Sequence, residues 1–343
     1  MATRQAGDVE LSIMRPFAEV TIHASQFPSA VRQDLRESLR SRQVNHKFHY
    51  DSVKQTQKWL TLHQKFSPSR NEPDCAATYD KAFVKAAHTL PSNNVALVGL
   101  GCGGGQKDAG LLRQLQHAEK TACYMPVDVS TAMVLVARQT VLNAFSEMDC
   151  FPLVCDLGTT PNWRPLLDVL PAKWGGTPRL FTFFGMLPNF EPGLVIPRLA
   201  AMLNSQDLLL VSANLAPGDD YAAGVHRILP QYDNALTRDW LMTFLLDLGV
   251  EAQDGALSFN VGNSPTEPRL KQVIADFTFK RPREIHLEED LFSFSPGDSL
   301  RLFFSYRYTP ALLSDLLKRH GLETKSSWVT NSGEEGVFLV QRG

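Results

Sequence analysis

Between residues 95 and 213, short apolar runs alternate with longer stretches of helical spacing, and this alternation is the strongest pattern in the chain. The runs at 95–100, 122–127, 151–155, 179–184 and 208–213 have no polar face, which predicts strands buried on both sides. Strands of that kind, separated by helices, predict an α/β architecture with a parallel sheet covered on both faces. Ahead of them, AVRQDLRESLRSR has helical spacing, the polar and aromatic HKFHYD follows, and a further helix is expected around 78–89. From residue 215 to about 295 the regular alternation stops, and QYDNALTRDWLMTFLLDLG and FNVGNSPTEPRL read as an insertion. The end of the chain, SLRLFFSYRY through GVFLVQRG, returns to strand, helix and strand, and is expected to complete the sheet. Segments 76–214 and 301–343 are therefore expected to form the sheet domain. Segments 1–75 and 215–300 would form a smaller α+β domain.

Composition narrows the partner. The 343 residues are 43% hydrophobic and 20% charged, with a net charge of −2, which gives no electrostatic bias toward nucleic acid or an anionic membrane. A small molecule is the expected partner, and a monomer the expected state. The five cysteines, Cys75, Cys102, Cys123, Cys150 and Cys155, include no CxxC pair, so neither a disulfide framework nor a zinc site is suggested. No apolar run approaches the length of a membrane span and MATRQAGDVE lacks a signal-peptide core, so a cytoplasmic location is expected.

The chemistry concentrates in LVGLGCGGGQKD, where five of the seven residues from Gly99 to Gly105 are glycine. Between a buried strand and a helix, such a turn lets a ligand approach bare backbone. Gly99, Gly101 and Gly104 satisfy GxGxxG, and Asp128 ends the next strand, so a dinucleotide site is one reading. A P-loop is excluded because no GK[ST] follows. The other reading is an S-adenosylmethionine site, which shares the strand, glycine turn, helix and acid. Asp156, at the end of the third strand, stands where methyltransferases address the adenine amino group. It can equally serve as a helix N-cap before Leu157.

Seven motifs then occur in order: KFHYD from Lys47, FSPSRNE from Phe66, LGCGGGQK from Leu100, PVDVS from Pro126, FFGMLPNFEP from Phe183, QYDN from Gln231 and SYRY from Ser305. In these the chain resembles the S-adenosylmethionine-dependent amino-acid Nα-methyltransferases, typified by the histidine-specific enzyme of ergothioneine biosynthesis, with related fungal enzymes acting on prenylated tryptophan. The resemblance implies a Rossmann-like class I methyltransferase sheet and a smaller α+β substrate domain. It implies that Gly101, Gly103 and Lys107 hold the methionine moiety, Asp128 the ribose, and Asp156 with Leu157 the adenine. Asn189 and Tyr232 would hold the α-amino and carboxylate groups of the substrate, with Tyr50 beside the amine. Tyr50 and Asn189 are the expected catalytic residues, orienting the nitrogen. No His or carboxylate matches a general-base position.

Two departures from the family pattern concern the substrate side chain. Histidine-specific members grip the imidazole with a tyrosine and a glutamate at positions that are Phe66 and Phe303 here, while Ser305 is retained. Phe66 and Phe303, with Phe304, suit an aromatic or apolar side chain, because an imidazole among them would leave polar atoms unpaired. The expected activity is N-methylation of such an amino acid or derivative, with S-adenosyl-L-homocysteine as product. Histidine methylation and a weakened S-adenosylmethionine-binding homologue are the alternatives. A third departure is the absence of the family's acid before the loop, at Gly99, which leaves room for weakened cofactor binding.

Overall fold

The computed structural model of the chain describes residues 17–66 and 72–343. Residues 67–71 of the FSPSRNE motif, and the first 16 residues, lie outside the described residues. The longer helices in chain order are α1 (Pro28–Ser41), α2 (Val53–Phe66), α3 (Pro73–Thr89), α4 (Gln106–His117), α5 (Thr131–Ala144), α6 (Pro192–Met202), α7 (Tyr221–Tyr232), α8 (Ala235–Asp247) and α9 (Pro310–Arg319), with a single helical turn at Ala172–Gly175. An eight-stranded sheet contains β1 (Thr21–Ile22), β2 (Asn94–Leu100), β3 (Thr121–Asp128), β4 (Leu153–Val154), β5 (Arg179–Phe183), β6 (Leu208–Asn214), β12 (Leu322–Val329) and β13 (Glu335–Arg342). Its order is β1-β4-β3-β2-β5-β6-β13-β12. The first six strands pair in parallel, and β13 runs antiparallel to β6 and β12.

All five apolar runs become strands of this sheet, the third shortened to Leu153–Val154. Side chains alternate along each strand with period 2, and here both sets are buried. On β2, Val95 and Leu97 pack into a core with Phe83 of α3 and Leu111 and Leu112 of α4. Ala96, Val98 and Leu100 face the opposite core, with Trp163, Phe181, Phe183 and Leu199. Each fully buried side chain of this size contributes about 1.5–3 kcal/mol, so the sheet is stabilised from both faces.

The second unit is built on a three-stranded antiparallel sheet of β7 (Gly255–Asn263), β8 (Lys271–Phe279) and β11 (Ser299–Arg307), ordered β11-β8-β7, with a hairpin of β9 (Arg283–Leu287) and β10 (Asp290–Phe294). Its core joins Leu39 of α1 and Phe48 to Trp240, Leu241 and Phe244 of α8 and to Phe277, Phe279, Leu302 and Phe303 of the sheet. The N-terminal segment and the insertion thus fold together.

Two boundaries differ from expectation. Residues 301–307 do not complete the large sheet; they belong to β11, which pairs with β8. Leu300, Leu302 and Phe303 bury in the second core, and apolar alternation alone does not say which sheet a strand joins. Completion of the large sheet starts later, at α9. Near the start, β1 adds to the edge of the large sheet beside β4, so the N-terminal segment contributes to both units.

The turn after β2 packs tightly against α5. Gly105 has φ +74°, and a Cβ there would lie 2.8 Å from the Cα of Ala137 in α5. Left-handed backbone costs an L-residue about 1–2 kcal/mol, and the clash is with a helix backbone that cannot rotate away. Gly105→Ala is expected to lose at least about 2 kcal/mol of stability in urea denaturation, whereas Gly176→Ala, which has open space around it, is expected to change stability by less than about 1 kcal/mol.

Candidate active site

The parallel strands all end at one edge of the sheet. Between β2 and β5 the strand order reverses, and ligands of open α/β sheets sit at the carboxyl ends of strands beside such a reversal. A cavity of about 1070 Å³ opens there, lined by the loop after β2, the ends of β3, β4 and β5, and elements of the second unit. It stands at the upper end of the size range of ligand pockets, large enough for two ligands side by side.

The loop 101–105 forms the floor. Gly101 and Gly103 take φ +69° and +50°, which a side chain would oppose. The Met186 side chain fills the space that a Cβ on Gly101 would need, and a Cβ on Gly103 would touch Trp59 of α2 at 3.4 Å. The N–H groups of Gly101 and Cys102 donate to the Val127 carbonyl at 2.8 and 3.0 Å, fastening the loop to β3. Gly103 N–H donates to Asp128 Oδ2 at 3.1 Å, and Ser130 N–H to Oδ1 at 3.1 Å. Burial pushes the Asp128 carboxyl up to about 6, against the pull of those two N–H donors. Bare backbone, an uncapped start of α4 and a carboxylate at the adjacent strand end fit S-adenosylmethionine.

Asp156 is held locally. Its Oδ1 accepts from the N–H groups of Gly158 (2.7 Å) and Thr159 (3.3 Å), while Oδ2 faces Asn45 Nδ2 at 3.2 Å and Lys47 Nζ at 3.4 Å. It closes a turn, and no helix follows it directly. Leu157 beside it is buried, with both residues on the cavity wall. Lys107 is engaged as well: its ammonium donates to the Tyr79 hydroxyl at 2.6 Å and lies 3.6 Å from Glu335. Burial works to raise Glu335, yet Lys107 and the Tyr79 hydroxyl hold it below the usual carboxylate range.

The acid missing at residue 99 is present in space. The Asp108 carboxylate, 2% exposed, occupies the position where a side chain on Gly99 would start. Tyr124 Oη and Thr182 Oγ1 donate to it at 2.6 and 2.8 Å, and burial raises it to about 6 despite them. The carboxylate reaches this spot from α4 rather than from β2.

The opposite wall is aromatic. Tyr50 lies 5.9 Å from Trp59 and 5.4 Å from Trp240, between ring centroids. Burial first, and the nearby Asp128 second, push its hydroxyl well above the usual tyrosine range. Phe303 is 7% exposed and faces His46 (5.1 Å, stacked), Trp240 (5.9 Å) and Tyr232 (6.2 Å). Phe304 faces His46 at 4.7 Å. Phe66 does not join this box: at the end of α2 it is 47% exposed, at the cavity's edge. Tyr232 donates to Ser305 Oγ at 3.0 Å, and Arg307 Nη2 donates to Tyr232 Oη at 2.7 Å. Asn189, which also lines the cavity, donates from Nδ2 to the Phe304 carbonyl at 2.8 Å.

Reading the sequence missed Asp108, Lys47, His46, Trp59, Trp240 and Arg307. Asp108 carried a signal, a buried-type strand glycine with an acid one turn into the next helix. Arg307 sits inside the SYRY motif, of which only Ser305 is given a role by the resemblance. His46 immediately precedes KFHYD. Its two ring nitrogens are buried without partners, and burial, then His49, lowers its pKa to about 3.

No curated protein sequence matches the chain. Solved structures that it resembles include magnesium protoporphyrin IX methyltransferase from Synechocystis PCC 6803 with bound SAH, at TM-score 0.45 and 11% identity over 86% of this chain and 97% of that one. The sugar N-methyltransferase KedS8 from Streptoalloteichus sp ATCC 53650 matches at TM-score 0.36 and 13% identity, over 82% and 92%. The family of histidine-specific, SAM-dependent methyltransferases matches residues 30–342. With the glycine loop and its carboxylates at the sheet's switch point, and that match over nearly the whole chain, the protein belongs to the histidine-specific, SAM-dependent methyltransferase family.

Proposed function

We propose that the protein methylates the α-amino group of an amino acid or derivative whose side chain is aromatic or apolar. The observation that carries this reading is the box around Phe303, at the position where the resemblance puts an imidazole-binding glutamate. A substrate imidazole against Phe303 would lose a partner there, at about 1–3 kcal/mol for each unsatisfied group. A hydrocarbon or indole ring would instead gain about 0.5–1.5 kcal/mol per well-placed aromatic contact, beyond its area burial. Both effects favour the same class of side chain.

Bound in the cleft, S-adenosyl-L-methionine supplies a methyl group on a positively charged sulfur and departs as S-adenosyl-L-homocysteine. Gly101 and Gly103 offer bare backbone to its methionine end, with Lys107 sharing its charge between Glu335 and that end. Asp128 accepts from the ribose hydroxyls, and Asp156 with Leu157 borders the adenine. Asn189 Oδ1 and the Tyr50 hydroxyl orient the amine nitrogen, and Tyr232 holds the carboxylate end. Orientation of this kind is worth up to about 7–11 kcal/mol of the barrier. Tyr50, which burial keeps in its protonated form, has no basic form to offer at neutral pH, and His46, lowered to about 3, is too weak a base to deprotonate an ammonium. The proton therefore leaves to water.

His46 favours a second reading. A neutral imidazole with two unpartnered nitrogens beside Phe303 can hydrogen-bond a polar ring atom, so histidine held through His46 rather than through a carboxylate is the runner-up.

A mass-spectrometric screen of histidine, tryptophan, tyrosine, phenylalanine and their derivatives with S-adenosyl-L-methionine separates the two. Faster methylation of an apolar aromatic amino acid is expected, and exclusive methylation of histidine would overturn the aromatic reading. Asn189→Ala is expected to weaken amino-acid binding about tenfold or more, the worth of a hydrogen bond to a charged group, with binding of S-adenosyl-L-homocysteine changed by less than threefold in calorimetric titration. An equal loss for both ligands counts against the role of Asn189. Asp128 sets a pH dependence. The ionised carboxylate receives the hydroxyls, and its pKa in the free protein is raised to about 6, so below that pH binding must first release a proton. Affinity for S-adenosyl-L-homocysteine is expected to fall by up to tenfold per pH unit below about 6 and to level off above it. Asp128→Asn should bind more weakly and lose most of that slope.

A further inference from the structure

Two cationic side chains fall in the buried class among the described residues, Lys47 at 3% and Arg307 at 5% exposure. They are treated differently. Lys47 meets two carboxylates, Asp34 and Asp156. Arg307 meets none: among the described residues no carboxylate oxygen lies within 4.0 Å of its guanidinium. Its contacts are Leu215 carbonyl from Nη1 at 3.2 Å, Tyr232 Oη from Nη2 at 2.7 Å, and the Tyr232 ring 5.3 Å away. Nε is buried without a partner, and the residue lines the cavity. Arg301 on the same strand also has no ion pair among the described residues and a buried Nε without a partner, but as a whole it is only partly buried.

An arginine cannot shed its proton to escape burial. Taking its charge out of water costs several kcal/mol unless an anion compensates. The two neutral hydrogen bonds that Arg307 makes would be met equally well by an uncharged amide, and its single cation–π contact with Tyr232 offsets only part of the cost of burying the charge. We infer that Arg307 is the counter-charge of an anionic group on the substrate, which under the reading proposed above is the α-carboxylate, and that it acts together with Tyr232. Arg307 polarises the Tyr232 hydroxyl by donating to it, while that hydroxyl is presently spent on Ser305. An incoming carboxylate takes over the Tyr232 proton and shares the guanidinium's field. The site is therefore selective for α-amino acids over the corresponding decarboxylated amines, and the selectivity is electrostatic, distinct from the aromatic box that reads the side chain.

The test compares L-tryptophan with tryptamine and L-phenylalanine with phenethylamine, by calorimetric titration into the full chain saturated with S-adenosyl-L-homocysteine. The parent protein is expected to bind each acid at least tenfold more tightly than its amine. In Arg307→Gln that preference is expected to collapse to within about threefold, chiefly through weaker binding of the acid, and Arg307→Lys should restore part of it. Unchanged affinity for S-adenosyl-L-homocysteine in both variants establishes that they fold. A parent that binds amines as tightly as acids, or an Arg307→Gln variant that keeps the preference, overturns the inference while leaving the aromatic reading intact. Binding of none of the four compounds by the parent overturns both. Should Arg307→Gln fail to fold, Tyr232→Phe provides the same comparison from the other partner: loss of the acid preference supports the coupled arrangement, and its retention overturns it.

Discussion

One strand holds the two halves of the site in register. Through most of its length β11 pairs with β8 and packs Leu300, Leu302 and Phe303 into the second unit's core. Just past its end, Tyr308 exchanges hydrogen bonds with Asn214 and Ala216 at the end of β6, and Tyr306 and Tyr308 enter the large sheet's core. Between those attachments, Asn189 from the loop after β5 donates to the Phe304 carbonyl. The segment carrying Phe303, Ser305 and Arg307 is thus fixed both to the second unit and to the carboxyl edge of the parallel sheet. A slip of one residue would put Tyr306 and Tyr308 where Ser305 and Arg307 line the cavity. A bulge interrupts the pairing with β8 between Arg301 and Phe303.

The helices add a second clamp. Ser130, which caps α5, bonds Thr56 of α2 at 3.0 Å, and Trp59 of the same helix lies against Gly103. The loop that would carry the cofactor and the helix that supplies part of the aromatic wall are therefore in direct contact. This explains why the two functions cannot be assigned to separate halves of the fold. A substitution at Trp59 would be felt on the glycine loop, and one at Gly103 on the aromatic wall.

Most of the large sheet was legible because its strands are buried on both faces, and an uninterrupted apolar run carries that information locally. The partner of β11 was not, since its alternation fits either sheet and the choice depends on contacts far away in sequence. The site divides in the same way. Gly101, Gly103, Asp128, Tyr50, Asn189, Tyr232, Phe303 and Ser305 all line one cavity, and each lies inside a motif except Phe303, two residues before SYRY. Phe66 shows the limit of motif reading: its position in the pattern matches, yet its side chain ends at the rim, half-exposed. Asp108 shows the reverse. A carboxylate can reach the same point in space from a neighbouring helix, and only the missing Cβ of Gly99 makes room for it.

The dryness of the pocket links its parts. Desolvation is the leading cause that lowers His46 and His49, to about 3 and about 4, and that raises Tyr50, Asp108 and Asp128. The same penalty acts on any ligand group bound beside them, because burial disfavours whichever form is charged. On the proposed reading, an amine bound there is shifted toward the unprotonated state, the only one with a lone pair to attack with. For a carboxylate the same force would be harmful, driving it toward the neutral acid and weakening its hold. On the proposed reading a fixed cation is needed at that end alone, and Arg307, the buried arginine without a carboxylate partner, stands there beside Tyr232.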